Sequence, residues 1–330
     1  MKTIRTLTGI DDVDRQLMNL LIEDGRMGNR ELAAKVGLTD VTVATRLRTL
    51  IENRIFKVGA QIDWHAAGFS FGTTIFVNVS PLHRVSVSKE LSAIPSLYFV
   101  GEVFGSVDFV LAGLVTDFDD VERLTDAITS IDGVTNVTVD INYEVLKYLH
   151  RYGRLNQQPI EVILPNPRVD VDELDRRIAS SLIVDGRTSN RALARRFDCS
   201  EGTIRTRIRR MESDGLLKIR AQVDPFLSGE LIALAYVGLC VGGDLGSTLI
   251  DQLVAMPAVY SLWRTSGRYQ LVASVGAGNR GELVRAIKDD IQSLEGVRSL
   301  STWEIARFVK MSSYLARLSL VDANTNENLT

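Results

Sequence analysis

The sequence predicts an α+β protein in which one two-domain unit occurs twice in tandem. Residues 11–63 reappear as residues 172–224 under a constant shift of 161, with about 20 of the 53 aligned positions identical. The segment after each copy repeats one order of strands and helices. Residues 155–171 lie between the halves and contain three prolines, as a linker does. A repeat of this length indicates duplicated domains rather than a solenoid.

Composition predicts a soluble, cytoplasmic, cofactor-free protein. The chain has 330 residues and a net charge of −3, and 45% of its residues are hydrophobic. No apolar run approaches the roughly 18–20 residues that span a bilayer, and the N-terminus lacks a signal-peptide core. Cys199 and Cys240 have neither metal-site nor disulfide-framework spacing. We therefore expect no membrane partner and no metal.

The first copy predicts three helices in succession. Apolar residues recur at helical spacing over 13–24, and Asp24-Gly25 is a stop signal. Asn29 is predicted to cap a short second helix, and Thr39 a third. Residues 55–63 then indicate a strand-rich wing. Helix, short helix, turn, longer helix and wing is the order of a winged helix-turn-helix domain.

The third helix is the one predicted to enter the major groove. Val43, Leu47 and Leu50 form its inward stripe, so the other faces are available. Threonine suits phosphate oxygens and thymine methyls, and arginine suits phosphates or guanine. An ordinary solvated helix face is the alternative. The predicted DNA-binding residues are Thr42, Thr45, Arg46, Arg48, Thr203, Arg205, Thr206, Arg207, Arg209, Arg210, Lys218 and Arg220.

The two copies differ in net charge. Residues 11–63 carry 8 Lys and Arg against 9 Asp and Glu, which gives −1. Residues 172–224 carry 12 against 9, which gives +3. Because phosphate contacts dominate the affinity for nucleic acid, the second copy is predicted to contribute more to DNA binding.

Each copy is followed by a predicted βαββαβ segment, the ferredoxin-like order. In the first half its elements are 71–80, 84–94, 97–104, 107–116, 118–131 and 134–145. In the second half they are 231–241, 246–256, 258–266, 269–276, 279–294 and 297–307. The predicted domains are 1–64 and 172–225 (winged helix), 65–154 and 226–318 (ferredoxin-like), 155–171 (linker) and 319–330 (flexible tail).

The chain resembles the Lrp/AsnC, or feast/famine, family of transcription regulators. The resemblance rests on DDVDRQLMNLLIEDGR, NRELAAKVGL and VATRLRTL, followed by βαββαβ with the turn Gly105-Ser106-Val107-Asp108. It implies binding of double-stranded DNA by the winged helix. It also implies homo-oligomers and amino-acid sensing by the βαββαβ (RAM) module, whose sheets pack face to face around effectors. The tandem fusion is a departure, since the usual member has one copy.

The resemblance places effectors beside the GxxD turn. The first half has this pattern as Gly105 and Asp108, and the Asp108 carboxylate would bind an ammonium group of the effector. The alternative is that Asp108 only accepts hydrogen bonds from the backbone of its own turn. In the second half Gly267, Arg268 and Gln270 stand there, so the two sites differ in charge. Arg264 and Thr265 precede that turn and could line a pocket for an anionic or aromatic ligand.

The sequence is compatible with two other functions. Haem-pathway decarboxylases of the siroheme type share this paired fold, but would be expected to place histidine and arginine near a tetrapyrrole. His65, His83 and His150 have no counterparts in the other half and no recurring catalytic partner, so no catalytic residue is predicted. An architectural DNA-compacting protein without an effector is the other alternative.

The duplication also predicts architecture. One chain supplies two unlike winged helices, so it is expected to act as a pseudo-dimer on an operator with two different half-sites, one or two turns of about 34 Å apart. Higher assembly of chains is expected as well. Exchange of halves between chains is the alternative, because a linker of this length permits both.

Overall fold

The computed structural model describes residues 9–148, 163–242, 247–312, 314–316 and 318. The predicted tail 319–330 and residues 155–162 of the predicted linker lie outside this range. The described residues form two compact units. Unit 1 is drawn from Met1–Gly68, His150–Glu230 and Ser312–Ser319, and unit 2 from Phe69–Leu149 and Leu231–Met311. Each unit therefore combines one domain from each half of the chain.

Unit 1 contains three helices from each copy. They are α1 (Asp12–Glu23), α2 (Asn29–Val36), α3 (Asp40–Glu52), α6 (Glu173–Val184), α7 (Asn190–Phe197) and α8 (Glu201–Ser213). The α3 stripe of Val43, Leu47 and Leu50 is buried, as predicted. Leu17 and Leu32 are fully buried on the two preceding helices.

Side-chain caps begin most of these helices. Asp11 and Asp14 form a capping box at α1, and Thr39 caps α3 through the amide of Thr42, as predicted. The predicted cap at Asn29 is wrong. Gly28 occupies that position without a side-chain bond, and Asn29 is the first helical residue. Its side-chain oxygen instead accepts a hydrogen bond from Arg187 of the other copy.

The wing differs from the sequence prediction. A strand does form, β1 (Phe56–Asp63), but it pairs antiparallel with β6 (Leu217–Val223), the corresponding strand of the second copy. The short strand β11 (Leu315–Ala316) pairs parallel with β1 on the other side. The two winged-helix domains therefore share one three-stranded sheet.

Unit 2 has the predicted βαββαβ order twice. Its strands are β2 (Phe71–Val79), β3 (Leu97–Phe104), β4 (Phe109–Val115), β5 (Val134–Tyr148), β7 (Ala233–Val241), β8 (Val259–Ser266), β9 (Leu271–Ala277) and β10 (Val297–Met311). Its helices are α4 (Arg84–Ala93), α5 (Phe118–Thr129), α9 (Ser247–Ala255) and α10 (Arg280–Arg285), the last continued by a π-helical stretch over Ala286–Ile291.

The eight strands of unit 2 form one closed sheet in the order β10-β3-β4-β2-β5-β8-β9-β7. The two ferredoxin-like sheets join edge to edge, β5 with β8 and β3 with β10. The inner faces of the two sheets also pack against each other, as the resemblance implies, so the sheets are joined at their edges as well as face to face. Edge pairing satisfies the free N–H and C=O groups of all four edge strands, which an open pair of sheets would leave exposed.

Each half of the closed sheet buries apolar side chains under its own helices. Ile75, Leu91 and Leu111 belong to the core of the first half, and Val237, Leu253 and Ala273 to that of the second. The opposite faces of the strands point into the closed sheet. Phe76, Tyr269 and Trp303 pack there with valines from both halves. In the described part of the chain, no helix is long and apolar enough to cross a membrane.

Candidate DNA-binding surface and effector turns

Two reciprocal contacts hold the winged-helix domains together. The Arg26 guanidinium donates to the Asn190 side chain (3.1 Å) and to the Thr188 carbonyl (2.6 Å). Arg187 donates to the Asn29 side chain (3.0 Å) and to the Met27 carbonyl (3.0 Å). Burial lowers the pKa of both arginines, which remain charged. These arginines therefore join the two copies.

Glycine permits the close approach of the two copies. A Cβ at Gly25 would lie 2.7 Å from the Arg220 Cα, and one at Gly186 would lie 3.1 Å from the Gly59 Cα. Because glycine has no Cβ, the backbones come close enough for the Gly25 amide to donate to the Ile219 carbonyl (3.2 Å) and for the Gly186 amide to donate to the Val58 carbonyl (2.9 Å). The relation between α3 and α8 is thus fixed by backbone as well as side-chain contacts.

The two third helices expose different chemistry. On α3, Thr42, Thr45 and Arg48 are exposed, together with Val41 at 76%. On α8, Arg205, Thr206 and Arg209 are exposed, and Thr203 is half-buried. The Thr42 and Thr203 hydroxyls bond to the capping hydroxyls of Thr39 and Ser200, each at 2.9 Å. Arg205 has Ala44 as its counterpart, so α8 presents one more exposed arginine.

Three predicted DNA contacts have partners inside their own domain. Arg46 pairs with Asp11 (2.7 Å) and Asp14 (2.9 Å), and Arg207 pairs with Asp172 (2.6 Å) and Asp175 (3.0 Å). The hydrogen bond from Arg207 lowers the pKa of Asp172 to about 2. These pairs tie the third helix of each copy to the start of the first.

Arg210 adds a third pair that the first copy lacks. It binds Asp170 (2.9 Å) and the fully buried Asp175, and its counterpart in α3 is Thr49. Arg220 requires a correction: it is only 6% exposed because β6 pairs with β1, so it does not belong to the exposed basic surface. Lys218 is exposed at the start of β6.

The two turns predicted to lie beside effectors, residues 105–108 and 267–270, show the same backbone arrangement with different side chains. The Asp108 carboxylate accepts from the Val79 amide (2.9 Å) and pairs with Arg84 (3.1 Å). The Gln270 side-chain oxygen accepts from the Val241 amide (2.9 Å). Asp108 and Gln270 therefore both close the end of the first strand of their module. This local role accounts for the Asp108 carboxylate without an effector.

The remaining predicted effector residues surround the second turn. Arg264 pairs with Glu144 (2.7 Å), and the Thr265 hydroxyl donates to the Tyr269 carbonyl (2.6 Å). Gly105 and Gly267 have φ of 138° and 152°, which only glycine adopts readily. The Arg268 guanidinium lies 5.4 Å from the centre of the Tyr269 ring.

Sequence reasoning missed Asp140, which β5 carries into the closed sheet. It is 1% exposed, and its Oδ1 accepts from the Arg268 amide (3.2 Å). Its Oδ2 is buried without a hydrogen-bond partner among the described residues, and burial raises its pKa. A Cβ at Gly267 would lie 2.1 Å from Oδ1. The alternation of polar residues 138, 140 and 142 with apolar 137, 139 and 141 was the available signal.

Equivalent positions of the two halves carry a tryptophan beside the first turn and an aspartate beside the second. In the sheet, Asp140 pairs with Thr74, and Trp303 pairs with Tyr236, the residue equivalent to Thr74. Trp303 is therefore the counterpart of Asp140. The Trp303 ring nitrogen donates to the Ser106 hydroxyl (3.3 Å). The surroundings of the two turns are therefore chemically unlike.

Comparison with protein families gives matches in both halves. The AsnC-type helix-turn-helix domain matches residues 10–51 and 171–212, and the Lrp/AsnC ligand binding domain matches residues 74–151 and 235–315. Both models thus match twice, in alternation, and cover most of the chain.

The similar regulators each span about 40% of this chain, whereas one solved structure spans nearly all of it. An HTH-type transcriptional regulator of Pyrococcus abyssi is 30% identical over 141 residues, 42% of this chain and 89% of the relative. The regulator LrpA1 of Halobacterium salinarum is 33% identical over 131 residues, 39% of this chain and 91% of the relative. The crystal structure of the siroheme decarboxylase NirDL covers 92% of this chain and 93% of its own, with a TM-score of 0.64 and 16% identity. That last likeness concerns the fold alone.

Proposed function

Since this chain belongs to the Lrp/AsnC family of DNA-binding transcription regulators, as a tandem duplication of its usual two-domain unit, we propose that it reads one asymmetric DNA site. The difference between the exposed faces of α3 and α8, held in one unit by β1 and β6, supports this most strongly. Arg48, Arg205 and Arg209 are the arginines best able to reach DNA, because carboxylates already hold Arg46, Arg207 and Arg210.

Binding to labelled duplexes over a range of salt concentrations tests this proposal. Log K should fall linearly with log[salt], with a slope of about −0.9 for each phosphate contact. A specific duplex should bind at least about 1,000-fold more tightly than a scrambled one. Equal affinity for both duplexes would favour the architectural alternative.

The proposed effector is a small metabolite with an ammonium group, an amino acid being the simplest case. It would bind in unit 2, where Asp140 offers a buried carboxylate oxygen beside the turn 267–270. An ammonium group there would stabilise the ionised carboxylate, which burial now disfavours. Because Asp140 is covered, the turn must move to admit the ligand.

Thermal shift with the twenty amino acids and their matched amines and acids tests this effector. A ligand that binds only the native state at 100 times its Kd stabilises it by about 2.7 kcal/mol. Asp140→Asn should remove the shift, and Asp108→Asn should keep it. If no compound shifts the melting temperature or the DNA affinity, the metabolite response is wrong.

We infer that the chain is not an enzyme. The relatives named above are regulators. His83 is the one histidine in the described part of unit 2, and its Nε2 lies 3.4 Å from the Asp132 carboxylate, with Gly133 next to the imidazole ring. Titration with an iron tetrapyrrole tests the decarboxylase alternative. A shifted absorption band with release of carbon dioxide would establish it.

Assembly of several chains is part of the proposal. Leu82, in the short 3-10 helix Pro81–His83, and Val85, in the first turn of α4, are 92% and 81% exposed. Exposed neighbouring aliphatic side chains are typical of contact surfaces. Sedimentation analysis should give more than one chain per particle, and Leu82→Glu with Val85→Glu should shift it toward single chains. A monomer in the unchanged protein would contradict assembly. A cytoplasmic location is proposed with it.

A further inference from the structure

Unit 1 contains a cavity that the proposed function does not use. Its volume is about 620 Å³, within the usual range for small-molecule sites. Five segments line it: the turn after β1, residues 168–169, the end of α8, the start of β6 and Leu318. The Asp63 carboxylate holds two of these segments together by accepting from the Ala66 amide (2.9 Å) and the Leu318 amide (2.6 Å).

Both charge signs line this cavity. Arg168 and Lys218 contribute cations, and Glu212 and Asp214 contribute carboxylates. The Arg168 guanidinium lies 3.0 Å from the His65 Nε2, so that nitrogen acts as the acceptor. The aliphatic side chains of Val169, Leu217 and Leu318 complete the lining. A small zwitterion with an apolar side chain matches this set, because its carboxylate could pair with the cations, its ammonium group with the carboxylates and its side chain with the aliphatic residues.

The carboxylate pair of this lining has no acidic counterpart in the other copy. The 161-residue shift relates Glu212 to Ile51 and Asp214 to Asn53, whereas it relates Lys218 to Lys57. The same shift relates His65 to Phe226. The lysine is therefore common to both copies, and the two carboxylates do not follow from the shared fold alone.

The cavity adjoins the helix that differs most between the copies. Glu212 lies in the last turn of α8, and the cap residue Asp214 donates its amide to the Arg210 carbonyl (2.8 Å). Asp170, two residues from Arg168, pairs with the Arg210 side chain (2.9 Å). A ligand that contacts both Arg168 and Glu212 would therefore affect the position of α8.

We propose that this cavity binds a small zwitterion with an apolar side chain and that its occupancy changes the DNA affinity of α8. The site is distinct from the proposed effector turn in unit 2. By linkage, DNA changes the affinity for the zwitterion by the same factor. Lys218, predicted from sequence to contact DNA, would then bind the ligand carboxylate.

Calorimetric titration of the full-length chain tests this site. The probes are L-leucine, 3-methylbutylamine, which lacks the carboxylate, and 4-methylpentanoate, which lacks the ammonium group. Leucine should bind, and each single-charge probe should bind at least about 10-fold more weakly, as expected when a hydrogen bond to a charged group is lost. Glu212→Gln and Lys218→Met should each weaken the binding of leucine by a similar factor. Ile51→Ala, at the matching position of the first copy, is the control.

Three outcomes would overturn the proposal. They are absence of leucine binding, equal binding of 4-methylpentanoate, and loss of leucine binding in Asp140→Asn but not in Glu212→Gln. A salt slope reduced by about 0.9 in Lys218→Met, with leucine affinity unchanged, would assign Lys218 to DNA instead. Each of these outcomes leaves the proposed DNA binding itself standing, since that is measured without leucine.

Discussion

Two pairs of contacts between the copies are reciprocal, whereas the exposed faces of the two third helices, α3 and α8, differ in charge. Arg26 and Arg187 make the same contact in both directions. In unit 2, Lys147 donates to the Val254 carbonyl (2.7 Å) at the end of α9, and Lys310 donates to the Ile94 carbonyl (2.6 Å) after α4. On the exposed face, Ala44 corresponds to Arg205.

This contrast separates two constraints on a duplicated chain. A contact between copies fails if either side changes, because a buried polar group then loses its partner. An exposed residue on one helix can change without altering the other. The duplication therefore keeps a symmetric framework while allowing two different recognition surfaces.

The largest expected difference between copies concerns the buried aspartates. Asp175 binds Arg207 and Arg210, whereas Asp14 binds Arg46. Asp175→Ala should reduce the free energy of unfolding by about 3–5 kcal/mol, the usual loss when a buried ion pair is broken. Asp14→Ala should cost about 1–2 kcal/mol less. Urea unfolding measures both, with the exposed Asp170→Ala as the control, and equal losses would refute the comparison.

The interface between copies should tolerate no Cβ at Gly25. Gly25→Ala places that atom against the Arg220 backbone and should cost about 1–3 kcal/mol. Gly202→Ala in α8 meets nothing closer than the Ser200 hydroxyl at 3.5 Å. It should stabilise the protein by up to about 1 kcal/mol through helix propensity. Thermal unfolding of the two variants should thus shift in opposite directions, and a shared direction would argue against the close approach.

The exposed arginines should separate the copies in DNA binding. Replacing Arg205 and Arg209 together by Ala should reduce the magnitude of the salt slope by up to about 1.8, at about 0.9 for each phosphate contact. Arg48→Ala should reduce it by about half as much. Fluorescence anisotropy at several salt concentrations gives the slopes. If Arg48→Ala has the larger effect, α8 is not the dominant helix.

A small acid-dependent effect is expected at Asp172. Its folded pKa of about 2 lies below the ordinary 3.8, so its contribution is present above pH 4 and is lost as the pH falls to about 2. Because the pair is solvent-exposed, the effect should stay below about 1 kcal/mol. Asp172→Asn should flatten the stability profile in that window. An unchanged profile would mean that Arg207 does not favour the ionised form.

Sequence periodicity was sufficient for the elements but not for their partners. The α3 stripe and both βαββαβ orders were predicted because apolar spacing records which face is buried. The pairing of β1 with β6 and the closed sheet were not, since strand spacing does not identify the neighbouring strand. Nor did spacing indicate that Arg46 and Arg207 bind carboxylates from a distant helix, or that Arg220 is buried.

Selection from random duplexes tests most directly whether one chain reads two different half-sites. The unchanged protein should select a non-palindromic site with two unlike halves one or two turns apart, about 34 Å per turn. A variant whose α3 carries the α8 residues, Val41→Gly, Ala44→Arg and Thr49→Arg, should select two copies of the α8 half-site. A palindrome selected by the unchanged protein, or the same site selected by both proteins, would contradict the account.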